Sequence, residues 1–143
     1  MPSHESSIDV KVPLSVAFDE WTDYESFPHF MQDVHEVRSL GDGRLRWRGE
    51  LGSRKREWES EVDEDMTGGR VAWRSVTGAQ NDAEVTLVSG GDGTTRVQLR
   101  LVYDEDGVIE GTAAAAKAAR ARVEHDLRAF KKYAERRYAD SER

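Results

Sequence analysis

The chain of 143 residues has no cysteine, which excludes disulfides, thiolate metal sites and a thiol nucleophile. It has only three prolines, so most of it is free to form uninterrupted helix or strand. No apolar run approaches the roughly 20 residues that span a bilayer. The opening Met1-Pro2-Ser3-His4-Glu5 has neither the basic nor the apolar region of a secretory signal, so a cytoplasmic protein is expected. A basic excess is also missing. Lys and Arg number 21 against 28 Asp and Glu, and the net charge of −7 disfavours nucleic acid as a partner. There is no Gly-x-Ser-x-Gly, no P-loop and no Rossmann fingerprint. The histidines, His4, His29, His35 and His125, form no metal-ligand spacing with a carboxylate on the same face. No metal and no other cofactor is expected.

What is present is periodicity. The length fits a single domain over 1–143, with its core from about 6 to 138. Ile8, Val10 and Val12 alternate with Asp9 and Lys11, which predicts a first strand over Ser6–Val12. Pro13 suits the first turn of a helix carrying Leu14, Ala17, Phe18 and Trp21. A second short helical piece carries Tyr24, Phe27, Phe30 and Met31, interrupted by Pro28. From Val34 to Tyr103 the period is two, punctuated by glycine turns such as Gly41-Asp42-Gly43 and Gly90-Gly91-Asp92-Gly93. The apolar phase places Leu45, Trp47, Gly49 and Leu51 on one face. On the following strands it selects Arg56, Trp58, Ser60 and Val62, then Val71, Trp73 and Ser75, then Ala83, Val85 and Leu87, then Val97, Leu99, Leu101 and Tyr103. About six strands in a meander follow from this, with one buried face.

The end of the chain, from about Gly107 to Tyr138, reads as one long amphipathic helix. Asp104, Glu105, Asp106 and Glu110 are favourably placed at its start, and Arg136 and Arg137 near its end. Its apolar stripe runs through Ala116, Ala119, Val123, Leu127, Phe130, Ala134 and Tyr138. The stripe is small-sided in its first half, where Ala113–Ala116, Ala118 and Ala119 crowd together, and large-sided in its second. Alanine has the highest helix propensity, which accounts for the run without a site. Small residues over a curved sheet would also leave a void for a ligand. The helix carries Lys117, Arg120, Arg122, Arg128, Lys131, Lys132, Arg136 and Arg137 against Glu124, Asp126 and Glu135. That face reads as solvated, with a Glu124–Arg128 pair, or as a contact for an anionic membrane or carrier protein. A curved antiparallel sheet gripping one long helix, with two short helices closing an end, is the expected α+β helix-grip fold.

Several stretches carry a family resemblance. They are Trp21-Thr22-Asp23-Tyr24-Glu25-Ser26-Phe27-Pro28-His29-Phe30-Met31, Val34-His35-Glu36-Val37-Arg38, Arg56-Glu57-Trp58 and Arg70-Val71-Ala72-Trp73-Arg74-Ser75. With the Val12-Pro13 junction and the terminal helix, they resemble the START-related, Bet v 1-like (SRPBCC) superfamily. Within it, the chain resembles the bacterial polyketide cyclase/dehydrase and coenzyme Q-binding group. The resemblance implies a cavity between sheet and helix for an apolar molecule: a polyketide, a quinone or a lipid. Trp58-Glu59-Ser60-Glu61-Val62 is similar to the Trp-x-Ser-Arg-Arg stretch of tetracenomycin-type cyclases, with Glu61 and Val62 in place of the arginines.

The expected cavity walls are Trp47, Trp58, Trp73, Leu99, Leu101, Ala116 and Ala119, with Phe27, Phe30 and Met31 as a gate or plug. Arg56, Ser60, Ser75 and Tyr103 are the expected polar anchors, because inward polar groups need partners. Arg56 would face inward toward a carboxylate or an anionic ligand group, or sit at a rim in water. The leading expectation is binding of an aromatic or isoprenoid small molecule. The alternatives are a polyketide aromatase/cyclase or dehydrase, with Arg56 or Tyr103 moving protons, and a lipid or quinone chaperone that docks to a membrane through its basic helix.

Overall fold

The two-residue periodicity resolves into seven strands: β1 (Ser3–Val10), β2 (Val34–Gly41), β3 (Arg44–Leu51), β4 (Arg54–Asp65), β5 (Arg70–Gly78), β6 (Asp82–Ser89) and β7 (Thr95–Val102). This computed structural model describes residues 3–51, 54–78, 82–102 and 112–142. All pairs are antiparallel, in the order β1-β7-β6-β5-β4-β3-β2. Strands β2 to β7 form the expected meander, and β1 closes onto the last strand. The chain must therefore cross from one edge of the sheet to the other between β1 and β2. The two short helices make that crossing. The first strand is displaced from the expected Ser6–Val12, because pairing of Ser3 with Val102 extends its start. Val12 is buried beyond its end, its carbonyl accepting from the Thr95 hydroxyl at 2.8 Å. Register shifts mark bulges in β2 and, at Val76, in β5, and bulges bend a sheet.

Helix α1 (Leu14–Trp21) starts after Pro13 and buries Ala17, Phe18, Glu20 and Trp21. The second piece is a 3-10 helix over Tyr24–His29 that contains Pro28. It ends one residue before Phe30, whose N–H, like that of Met31, returns to the Phe27 carbonyl. The chain then meets β3 at Gly49. A Cβ there would lie 2.2 Å from the Asp33 carbonyl oxygen, which accepts the Glu50 N–H at 2.7 Å. Only glycine permits that approach.

Helix α2 (Thr112–Ser141) has 30 residues, so it is about 45 Å long. Most strands have eight residues, or about 26 Å. The helix therefore cannot lie on the sheet along its whole length. It packs against β1, β7 and α1. Its buried apolar positions are Ala119, Val123, Leu127, Phe130 and Ala134. Its far end is tied down. Lys131 Nζ donates to the Asp9 carbonyl and to Glu135, Glu135 accepts the Lys11 N–H, and Arg137 donates to Glu20 at 3.0 Å. The expectation that Ala116 faces the sheet is corrected, since Ala116 is exposed together with Lys117 and Ala118. The expected start of the helix at Gly107, its acidic approach Asp104–Asp106 and Glu110, and the side chains of Ala113–Ala115 lie outside the described residues.

Candidate ligand cavity

The inward phases of β3, β5, β6 and β7 bring Trp47, Trp73, Ala83, Leu99 and Leu101 together beneath α2. Met31 closes one side, and Arg122, Val123 and Asp126 roof the space. The void they enclose has a volume of about 10 Å³, close to the room needed for one water.

Its aromatic wall continues into the core. Trp47 and Trp58 are register partners on β3 and β4, stacked at 5.8 Å with their planes 10° apart. Trp47 lies 5.6 Å from Trp73 and donates its indole N–H to the Ser60 hydroxyl at 2.8 Å. Phe27 bridges Trp47 and Trp73, at 5.8 and 5.5 Å. Trp21 stacks on Phe130 at 4.5 Å and meets Phe30 edge-on at 5.2 Å. The indole N–H groups of Trp21, Trp58 and Trp73 are buried without a hydrogen-bond partner. Unpaired buried donors are uncommon.

The roof is polar. Asp126 is 3% exposed. Its Oδ1 accepts the Gln32 N–H at 3.3 Å and meets His125 Nδ1 at 3.1 Å. Arg122 lies one turn earlier, its side chain 16% exposed, with Nε 4.0 Å from Asp126 Oδ2. Removal from water pushes the Asp126 carboxyl above the usual carboxylate range, against the opposing pull of His125, Arg122 and the Gln32 N–H. Desolvation likewise lowers the Arg122 guanidinium from its ordinary value, against the attraction of Asp126 and Asp33.

Of the residues expected at the site, Met31, Trp47, Trp73, Leu99 and Leu101 border the void. Trp58 and Ser60 form a buried layer behind Trp47. Phe27 and Phe30 belong to the aromatic core, 0% and 2% exposed. Ala119 is buried but does not border the void, and Ala116 is on the outside of the helix. Arg56 is half-buried opposite Gly49 and lines a surface hollow with His35, Arg48, Glu50, Lys55 and Glu57, which shares no lining residue with the void. Ser75 is half-buried, its N–H donating to Asp82 Oδ1 at 2.7 Å. Tyr103 lies outside the described residues. Glu61 faces outward and pairs with Arg44 and Arg74.

Residue type alone puts Arg122 and Asp126 on the solvated face. Spacing gives a different answer for Asp126, which is seven residues after Ala119 and four before Phe130, on the flank of the apolar stripe. The basic face is correspondingly thinner. Arg122 turns in, and Lys131 and Arg137 are paired with Glu135 and Glu20. Lys117, Arg120, Arg128, Lys132 and Arg136 are exposed. The expected Glu124–Arg128 pair is not among the ion pairs of the described residues. No helix among the described residues is long and apolar enough to cross a membrane.

Comparison with known proteins places this geometry. Residues 10–132 match the family described as polyketide cyclase / dehydrase and lipid transport. An uncharacterised 17.2 kDa protein of Streptomyces lincolnensis, from the melC2-rnhH intergenic region, is 32% identical over 138 residues. The match covers 96% of this chain and 92% of that protein. Among solved structures, a START superfamily protein from Mycobacterium smegmatis superposes with a TM-score of 0.79 at 15% identity, covering 94% and 97% of the two chains. The Zhui aromatase/cyclase from Streptomyces sp. R1128 superposes with a TM-score of 0.73 at 20% identity, covering 96% and 95%. At those identities the two structures speak for the fold, which is the START-type helix grip. On the family match and the Streptomyces lincolnensis relative, the chain belongs to the polyketide cyclase / dehydrase and lipid transport family.

Proposed function

We propose that this protein binds a hydrophobic small molecule, aromatic or isoprenoid in character, between the sheet and α2. The observation that carries this reading is the void itself. Aromatic and aliphatic side chains wall it, yet a charged pair, Arg122 and Asp126, roofs it. A core that served packing alone would gain from apolar residues at those two positions. A drug-sized ligand needs several hundred Å³, so the void of about 10 Å³ must widen to admit one. Among the described side chains at the start of α2, Ala116–Ala118 are exposed and Ala119 is buried, so lifting this section costs little burial from them. The test is direct. Lipid, quinone and flat polyketide-like compounds are titrated into the protein while tryptophan emission is followed, and bound material is extracted from freshly purified protein for mass spectrometry. A saturable emission change, from Trp47 and Trp73 at the void, is expected with at least one class. No response to any class, and no extracted ligand, overturns the reading.

A second reading is an enzyme of cyclase or dehydrase type. It is supported by Asp126, a desolvated carboxyl beside His125 at the void, which is suited to hold and move a proton. If so, adding the protein to a polyketide synthase reaction changes the product pattern, and Asp126→Asn removes the change while ligand binding persists. An unchanged pattern with the wild type excludes this reading.

A further inference from the structure

We propose that Arg122 anchors an acidic oxygen group, such as a carboxylate or a phenolate, so that the cavity selects apolar molecules that are anionic at one end. This inference rests on the binding reading above and names the ligand chemistry of the same site.

The argument begins with unfilled donors. A guanidinium carries five N–H donors in a fixed fork, and Arg122 makes no hydrogen bond among the described residues. Its nearest carboxylate oxygen, Asp126 Oδ2, is 4.0 Å away, beyond hydrogen-bond reach. Asp126 Oδ1 is meanwhile shared by the Gln32 N–H and His125. Asp33 acts on Arg122 through its charge alone, without a contact. Desolvation of the guanidinium is thus only partly offset.

An independent observation points the same way. Trp73 borders the same void, and its indole N–H is buried with no partner. Two residues of the lining, Arg122 and Trp73, thus carry unfilled donors, and among the described residues the lining has one carboxylate, Asp126, whose Oδ1 is already engaged. That balance suits an acceptor-rich, negatively charged ligand end set against an apolar body on Trp47, Leu99 and Leu101. Arg120 and Lys117 are exposed cations on the same helix but do not border the void, so they provide an internal control.

The experiment uses two fluorescent probes with one ring framework. 1-Anilinonaphthalene-8-sulfonate is anionic, and N-phenyl-1-naphthylamine is its neutral counterpart. Wild-type protein is expected to bind the sulfonate about tenfold more tightly, and Arg122→Met to lose that preference while still binding the neutral probe. Arg120→Met should keep the preference. Because Arg122→Met leaves Asp126 without its cation, the double variant Arg122→Met/Asp126→Asn is measured in parallel, with folding checked by circular dichroism. Equal affinities in the wild type, or a preference that survives in either Arg122 variant, overturns the anchor and leaves the cavity reading standing. Failure of the wild type to bind either probe overturns the anchor, and with no response to the lipid, quinone and polyketide-like classes and no extracted ligand it overturns the cavity reading as well.

Discussion

The two halves of α2 do opposite things. From Leu127 onward the helix is bolted to the rest of the chain. Leu127, Phe130 and Ala134 are buried, Phe130 stacks on Trp21, and Arg137 and Lys131 reach Glu20 and the Asp9 carbonyl. Before Leu127 the same helix exposes Ala116 and Ala118, buries Ala119 and Val123, and turns Arg122 and Asp126 toward a void. The second half gains stability from dense aromatic packing. The first half has polar groups and empty space where packing would be more stable. One continuous helix thus combines a densely packed end with an end that carries buried polar groups beside a void.

The largest effect should come from the anchor. Phe130→Ala removes a fully buried ring that touches Trp21 and Phe30, and should cost about 3–5 kcal/mol in urea unfolding. A loss under about 1 kcal/mol would mean that the second half does not clamp the fold, and the contrast between the halves would disappear.

Much of this was legible beforehand, and the failures are instructive. Strand phases from β3 to β7 could be read because alternation depends only on which face is buried, so Trp47, Trp58 and Trp73 were placed correctly on the inner face. Strand ends were harder. The start of β1 is set by a partner, Val102, about a hundred residues away, which no local pattern encodes. Ala116 misled because alanine is favoured by helix propensity and by close packing alike, so its presence distinguishes neither. Arg56 has the inward phase, but it lies near the start of β4 and lines a surface hollow apart from the void. Arg122 and Asp126 are hard to read for the opposite reason. Charge suggested solvent, while position on the helix put Asp126 at the edge of the buried stripe.

A second prediction probes the roof. Asp126 is held above the usual carboxylate range by burial, although Arg122, His125 and the Gln32 N–H all favour its charged form. Between its unfolded and folded values the native state binds more protons than the unfolded chain. Stability therefore falls as pH rises through that window, beginning near pH 4, and levels off above it. Asp126→Asn abolishes this titration. In urea unfolding at stepped pH, the variant should gain on the wild type from about pH 4 upward and then run parallel to it. Curves that are parallel throughout would show that Asp126 is hydrated and that the roof resembles ordinary surface.

The smallest effect is the most telling about where the roof lies. Ala119→Phe inserts a ring into a buried position and should cost about 1–3 kcal/mol through overpacking. Ala116→Phe, three residues earlier, adds the same ring on the exposed side and should change stability by less than about 0.5 kcal/mol. It should also leave the affinity for the naphthalene probes unaltered, whereas a ring at position 119 crowds the layer beside Val123 and should weaken binding. The pair holds helix propensity and side-chain size constant, so only direction differs. If Ala116→Phe blocked the probes while the fold stayed intact, the first turns of α2 would have to face the ligand, and the roof would extend beyond Arg122 toward the start of the helix.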